Sequence, residues 1–230
     1  MTRSVVILSG RIGVGLRPDE LAASDPLLDI GGKPFAVRHV ELLRRHGLTD
    51  IIFLLAQSDR QVSETLGDGA AWDVRLRYAL DDAHPLGGGG TLRRTLPDLT
   101  DPFFVLYADF QLEYPFAGIE EAFWRSGKPA LLTVCRTAQR HNRLGVLLID
   151  GIIAYYERQG RILERFRVDA GLAIFRKSAF ADFVEDRHVG LADIYRALIA
   201  KGDLAGFEVT DRVHEVGWLA GNGQTRPTSP

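Results

Sequence analysis

Apolar residues in this chain fall into short unbroken runs, separated by stretches with helical spacing. Val5 to Leu8, Ile51 to Ala56, Phe103 to Ala108 and Ala130 to Cys135 are such runs. Runs of this length bounded by turn residues read as strands buried on both faces. Between the first two, Pro34 to Gly47 carries Phe35, Val37, Val40, Leu42 and Leu43 at helical spacing, with Gly47 placed to end a helix. A shorter helix is expected from about Asp59 to Leu66, stopping at Gly67-Asp68-Gly69. Val74 to Tyr78 alternates as a strand with one exposed face does. A helix follows Pro85 to Leu92 and ends before Asp98. Further on, the pattern predicts a helix near 116–126, a strand near 129–135 and a hairpin over 144–156 turning at Asp150-Gly151. A strand over 169–175, a helix near 190–200 and short strands near 205–209 and 213–216 complete the chain.

Strands alternating with helices in this way predict an α/β, Rossmann-like, doubly wound and mostly parallel sheet. One domain is expected over 1–220, with a nucleotide half to about 115, a substrate half from about 116, and a flexible tail over 221–230. Ligands of such sheets bind at the carboxyl ends of the strands. Gly10, Gly13 and Gly15 follow the first strand, and Gly87 to Gly90 read as a second glycine loop. Glycine lets backbone N–H groups approach an anion without hindrance from Cβ. Asp109 ends a wholly apolar strand, where a carboxylate is costly without a partner.

Composition narrows the picture without changing it. The 230 residues are 46% hydrophobic and 25% charged, with a net charge of −2. That is a globular balance with no electrostatic footprint for nucleic acid. No apolar run approaches the roughly 18 residues of a membrane span, and the first residues read as a core strand rather than a leader. A cytoplasmic location is therefore expected. The single cysteine, Cys135, lies in an apolar run and reads as a buried small hydrophobe. The six histidines show no metal-ligand spacing and are expected at the surface or at helix ends. Trp72, Trp124 and Trp218 are expected in core or interface, and Arg44-Arg45 and Arg93-Arg94 on solvated helix faces.

Several landmarks then occur in a telling order. They are the glycine loop at 10–16, Pro26-Leu27-Leu28, Gly31-Gly32-Lys33-Pro34, Pro85-Leu86-Gly87, Ala108-Asp109, Gly145-Val146, Ala170-Gly171 and Glu215-Val216-Gly217. In these the chain resembles the short, single-domain members of the sugar-1-phosphate nucleotidyltransferase family, over about residues 4–220. The resemblance implies a nucleotidyltransferase (glycosyltransferase-A-like) fold. It also implies a reaction in which a sugar phosphate oxygen attacks the α-phosphorus of a nucleoside triphosphate and pyrophosphate leaves. The protein's part is then positioning and charge neutralisation.

By the same resemblance, Asp109 and Glu215 hold Mg²⁺ or another divalent cation, and Arg11 stands with them as a catalytic candidate. Ser9, Gly10, Gly13, Gly15 and Arg17 hold the triphosphate. Gly87, Gly88 and Gly89 face the nucleotide. Lys33, Gly145, Glu157, Arg158 and Asp169 face the sugar phosphate. The implied partners are a nucleoside triphosphate and a sugar phosphate or nucleotide sugar, with no nucleic acid and no membrane. Family members are often dimers or larger, which implies a homo-oligomer.

The departures fall on the chemistry. The family's first loop usually reads Ala-Gly-Gly-x-Gly-Thr-Arg-Leu, whereas this chain has Ser9-Gly10-Arg11-Ile12-Gly13-Val14-Gly15-Leu16. Gly15 stands where the family has a catalytic Arg, and Asp25 where it has a Lys. Loss of one preorganised charge-stabilising group costs on the order of 10²–10³ in rate. Two main readings therefore stand, beside a third of changed chemistry on an unusual acceptor in the same fold. One is an active transferase in which Arg11 or Arg17 supplies the missing guanidinium. The other is a catalytically impaired binding or regulatory subunit that keeps the nucleotide pocket. GTP, CTP, UTP and dTTP all remain open as the nucleotide.

Overall fold

A computed structural model describes residues 3–9, 25–29, 32–81, 86–108, 114–136, 145–157, 166–183 and 187–209, and the backbone alone at 110–111, 141–144, 158–161 and 214–215. The elements follow the apolar pattern closely. Strand β1 (Ser4–Leu8) is buried along its length, and helix α1 (Phe35–Arg45) starts after Pro34 and ends before Gly47, whose φ is +71°. Then come β2 (Asp50–Leu55), α2 (Gln61–Leu66), β3 (Arg75–Leu80) and α3 (Gly87–Thr95). Strands β4 (Phe103–Tyr107) and β5 (Phe110–Gln111) precede α4 (Phe116–Ser126) and β6 (Ala130–Cys135). The hairpin of β7 (His141–Ile149) and β8 (Ile152–Arg161) turns at Asp150 and Gly151, both at positive φ (47° and 79°). That pair of positive φ values matches the right-handed twist of the two strands. Strand β9 (Arg167–Phe175), helix α5 (Leu191–Ala200), β10 (Leu204–Val209) and β11 (His214–Glu215) complete the described elements.

One nine-stranded sheet, in the order β3-β2-β1-β4-β9-β6-β10-β8-β7, runs through both halves. Its first four strands are parallel, with Val6 level with Ile52 on one side and Val105 on the other. The expectation of a mostly parallel sheet holds there and needs correcting further on. Strand β9 lies antiparallel between β4 and β6, and the β7–β8 hairpin is antiparallel because its two-residue turn permits nothing else. Strands β6 and β10 are parallel to each other. Strand β9 also changes partner along its length. Leu172 to Phe175 pair with β4, whereas Arg167 and Val168 pair with β7.

Each face of the sheet carries its own apolar layer. Val5, Ile7, Phe53, Phe104 and Ile174 pack under α1, α2 and α4, while Val6, Leu8, Phe103, Val105 and Phe175 pack under α3 and α5. Cys135 is buried, as expected. One expectation fails here. His39 is buried, not at the surface, because its Nδ1 lies 3.1 Å from the Phe35 carbonyl and its ring packs edge-on to Phe35. Trp124, expected in core or interface, lies outside the core, 44% exposed, beneath the guanidinium groups of Arg3 and Arg176. Among the described residues no helix is long and apolar enough to cross a membrane.

Candidate active site

The carboxyl ends of the parallel strands gather polar groups that the core excludes. Beyond β1, the Ser9 amide donates to the Leu54 carbonyl (2.9 Å) and its hydroxyl donates to Asp59 Oδ2 (2.5 Å). Asp59 ends a 3-10 turn, Gln57–Asp59, beyond β2. Both side chains are buried. Beyond β3, the buried Asp81 accepts at Oδ1 from the Thr91 hydroxyl (2.9 Å) and from the Leu86 amide (3.2 Å), which ties the chain on either side of 82–85 together. Beyond β4, the Ala108 amide donates to the Leu8 carbonyl (2.8 Å). Asp109 is the next residue in sequence and lies outside the described residues, as do Gly10, Arg11, Gly13, Gly15 and Arg17.

The partner change in β9 falls at Asp169–Gly171, beside the end of β4. Crevices for ligands open at such topological changes along the carboxyl edge. Asp169 is buried there, accepting from the Tyr156 hydroxyl (2.8 Å) and the Gly171 amide (2.8 Å). Burial pushes its carboxyl up to about 6, against the two hydrogen bonds that favour ionisation. The Tyr156 phenol, buried beside it, is held far above its ordinary value by desolvation and by the Asp169 charge. The Tyr114 hydroxyl donates to the Ala170 carbonyl and pins the same point from α4's side. Gly145 is buried in β7 opposite Glu157 and Val168, and Arg158 pairs through its backbone with Leu144.

The expected second glycine loop is the first turn of a helix. Gly89 and Gly90 donate their amides to the Val189 carbonyl (2.9 and 3.1 Å), so those two N–H groups serve packing rather than a ligand. A Cβ on Gly89 would stand 2.8 Å from Ile194 Cδ1 and 2.9 Å from the Val189 oxygen. Gly87 has φ +73° and would place a Cβ 2.7 Å from that oxygen. The run is glycine because the segment at 187–190 lies directly on it, a close approach that only the tertiary fold reveals.

Charged candidates are also engaged. Lys33 Nζ lies 2.7 and 2.8 Å from the two carboxylate oxygens of Glu41. Glu157 receives Arg196 of α5 at 3.0 and 3.3 Å. Asp25 accepts from the Leu27 amide (2.8 Å), and its own carbonyl accepts from Leu28, so it starts a turn. Glu215 sits in the small ribbon of β5 and β11, where it pairs with Phe110, the residue after Asp109 in sequence. Sequence reasoning overlooked Asp59, Asp81 and Tyr156. The signal for the first two was available, since both are carboxylates just beyond a strand, like Asp109.

Comparison with known proteins places this geometry. The nucleotidyl transferase family profile matches residues 4–207. A mannose-1-phosphate guanyltransferase of Schizosaccharomyces pombe is 26% identical over 227 residues, covering 92% of this chain and 60% of the yeast protein. The chain therefore spans less than two thirds of that relative's length. Among solved structures, a Bacillus anthracis protein assigned as a glucose-1-phosphate thymidylyltransferase superposes with a TM-score of 0.80 at 19% identity, covering 96% of this chain and 93% of the other. HddC from Yersinia pseudotuberculosis, complexed with GMP-PN, gives a TM-score of 0.72 at 21% identity, covering 94% of each chain. These two likenesses show the fold. With the family's pattern matched over nearly all of its length, this chain belongs to the nucleotidyl transferase family.

Proposed function

We propose that the protein transfers a guanylyl unit from GTP to a hexose 1-phosphate of the mannose type, releasing pyrophosphate. The observation that carries this reading is the carboxyl edge, where four parallel strands end beside the partner change in β9. Within a nucleotidyl transferase, that edge is where two phosphates can be brought together. The guanine and mannose assignments draw support from the guanyltransferase relatives and from the guanine nucleotide bound by HddC.

In this reading the loop of Gly10, Gly13 and Gly15 holds the triphosphate through backbone amides, with Ser9 at its base. Gly87 and Gly88 lie toward the base. Gly145, Arg158 and Asp169 face the sugar phosphate, with Glu157 and Lys33 at its margin. Asp169 accepts hydrogen bonds, which suits a sugar hydroxyl. Arg11 and Arg17 supply guanidinium groups in place of the Arg replaced by Gly15. Asp25 is spent on its own turn, so the reversal of charge there acts on structure before it acts on the phosphates.

Asp109 and Glu215 would hold a divalent cation. Their fit rests on donor chemistry, since carboxylates suit a hard cation, and on the pairing of Glu215 with the residue that follows Asp109. Bound there, the cation supplies charge neutralisation at the phosphates. Among the described residues no cluster of three or more His, Cys, Asp or Glu could hold a metal, and Asp109 lies outside them.

The test is pyrophosphate release from GTP, CTP, UTP or dTTP with Mg²⁺ and a panel of sugar 1-phosphates, alongside thermal unfolding with each nucleotide. Release is expected with GTP and mannose 1-phosphate, and Asp109→Asn should cut it by about a hundredfold or more. A thermal shift with GTP but no release across the panel would replace the reading with a binding subunit. No shift with any nucleotide would end it.

A further inference from the structure

We infer that Tyr156 is a positioning residue for the sugar subsite, holding Asp169 as a fixed hydrogen-bond acceptor. The inference rests on the proposed facing of Asp169 toward the sugar phosphate, and adds to that reading a residue that acts through Asp169.

Asp169 stands at a bulge. Leu132 of β6 pairs with Ala173, but Val134 pairs with Asp169, so Thr133 alone faces Ala170, Gly171 and Leu172. A bulge re-aims the side chains beside it and leaves backbone groups that the ladder cannot pair. Buried hydroxyls take up two of them. The Tyr114 hydroxyl donates to the Ala170 carbonyl, and the Thr133 hydroxyl donates to the Leu172 carbonyl (2.7 Å). Gly171, at φ +84°, turns its amide back onto Asp169 Oδ1 (2.8 Å). The Tyr156 hydroxyl, from β8, donates to Oδ2 (2.8 Å).

The carboxylate therefore has one donor on each oxygen. Each oxygen keeps a second lone pair, so the group can still accept from a ligand but is not free to turn. Its partner is itself confined. The Tyr156 ring lies 5.0 Å from that of Tyr195, which stacks at 5.8 Å on Phe175. Burial holds the phenol far above its ordinary value, so it stays a donor, while the Asp169 carboxyl, at about 6, is ionised above neutral pH. The bond thus runs one way. Asp169 is 8% exposed and Tyr156 2%, so of the two it is Asp169 that a ligand can reach. A phenylalanine would fill the same space with no buried hydroxyl to satisfy. What the tyrosine adds is the bond to Asp169.

The experiment compares the full chain with Tyr156→Phe, Asp169→Asn and the double variant. The first readout needs no turnover: the Asp169 carboxyl is titrated by carbon NMR, with and without mannose 1-phosphate. The second is the KM for GTP and for mannose 1-phosphate in pyrophosphate release. Tyr156→Phe should raise the carboxyl's midpoint by about one pH unit, because a bond that favours the ionised form is lost. It should raise the KM for mannose 1-phosphate by about three- to tenfold and leave that for GTP within twofold. Added to Asp169→Asn, it should change the KM for mannose 1-phosphate by less than about twofold, since it acts only through the carboxylate. Tyr156→Met, also without a hydroxyl, is the second variant should Tyr156→Phe not fold, and the same two shifts are expected of it. An unchanged midpoint overturns the inference. So does a KM for mannose 1-phosphate that stays put, or one that rises equally with the KM for GTP, since Tyr156 would then only stabilise the fold; in both cases the proposed reaction survives. Should the parent release no pyrophosphate, mannose 1-phosphate should still displace the Asp169 resonance, with a Kd about three- to tenfold weaker in Tyr156→Phe. That result would uphold the inference and sink the proposed reaction. A resonance indifferent to mannose 1-phosphate, in a protein without turnover, overturns both.

Discussion

The two halves of the sheet present carboxylates at the same edge and use them differently. In the first half, strands are parallel and each must leave the sheet through a loop. Asp59 and Asp81 fasten those exits, one to Ser9 and the other to Thr91 and Leu86. In the second half the carboxylate lies within a strand. Asp169 sits where β9 passes from β4 to β7 and is held by Tyr156 of β8 and by its own neighbour Gly171. Backbone polar groups at such a discontinuity need partners from side chains. A parallel region is thus secured at its exits, and an antiparallel insertion is secured at its point of change.

The joint between the halves is the place to break this comparison most severely. Helix α3 of the first half packs against 187–190 of the second through Gly87 and Gly89. Gly89→Ala should destabilise the protein by about 2–3 kcal/mol, lowering Tm by about 4–12 °C in thermal unfolding. A Tm within a degree of the parent would mean that the halves do not need this close approach.

The second perturbation tests the buried carboxylate of the second half. Its value rises on folding from 3.8 to about 6. Below that window Asp169 is protonated in both folded and unfolded chains. As pH rises through it, the unfolded chain ionises first, so stability falls, and the cost is complete above about pH 6. Asp169→Asn removes that cost. Its amide oxygen can accept from Gly171 and its NH₂ can donate to the Tyr156 oxygen. The variant should therefore be more stable than the parent by about 1–3 kcal/mol at pH 8, with the gain vanishing near pH 4. A gain independent of pH would refute the desolvation account.

The smallest effect should come from the surface. Arg196 spans from α5 to Glu157 and Asp193, all well exposed. Arg196→Ala should cost less than about 1 kcal/mol, the usual worth of exposed ion pairs. If Glu157 faces the sugar phosphate, the same variant should shift the KM for that substrate while Tm stays nearly still. A large fall in Tm would show that α5 is fastened to the second half by charge rather than by Ile194, Tyr195 and Leu198.

Much of the fold was legible because the deciding forces were local. Val5 to Leu8 could only be a strand buried on both faces, and Asp150-Gly151 could only be a tight turn between strands. The run at 116–126 became α4 from its own periodicity. What the sequence left undetermined depended on partners distant in the chain. The insertion of β9 between β4 and β6 is one case, because an apolar run does not state its neighbours or its direction. The run at Gly87 to Gly90 is another: glycine serves a phosphate loop and a close-packed helix equally well, and only the segment at 187–190 decides for the helix. His39 is buried because Phe35 and its carbonyl lie one turn away on a core-facing helix. Asp59 meets Ser9 across 50 residues of sequence. The sequence alone determined most of the strands and helices and carried the likeness to the family. The tertiary structure decided which carboxylates hold the fold, because burial and pairing are properties of the assembled sheet.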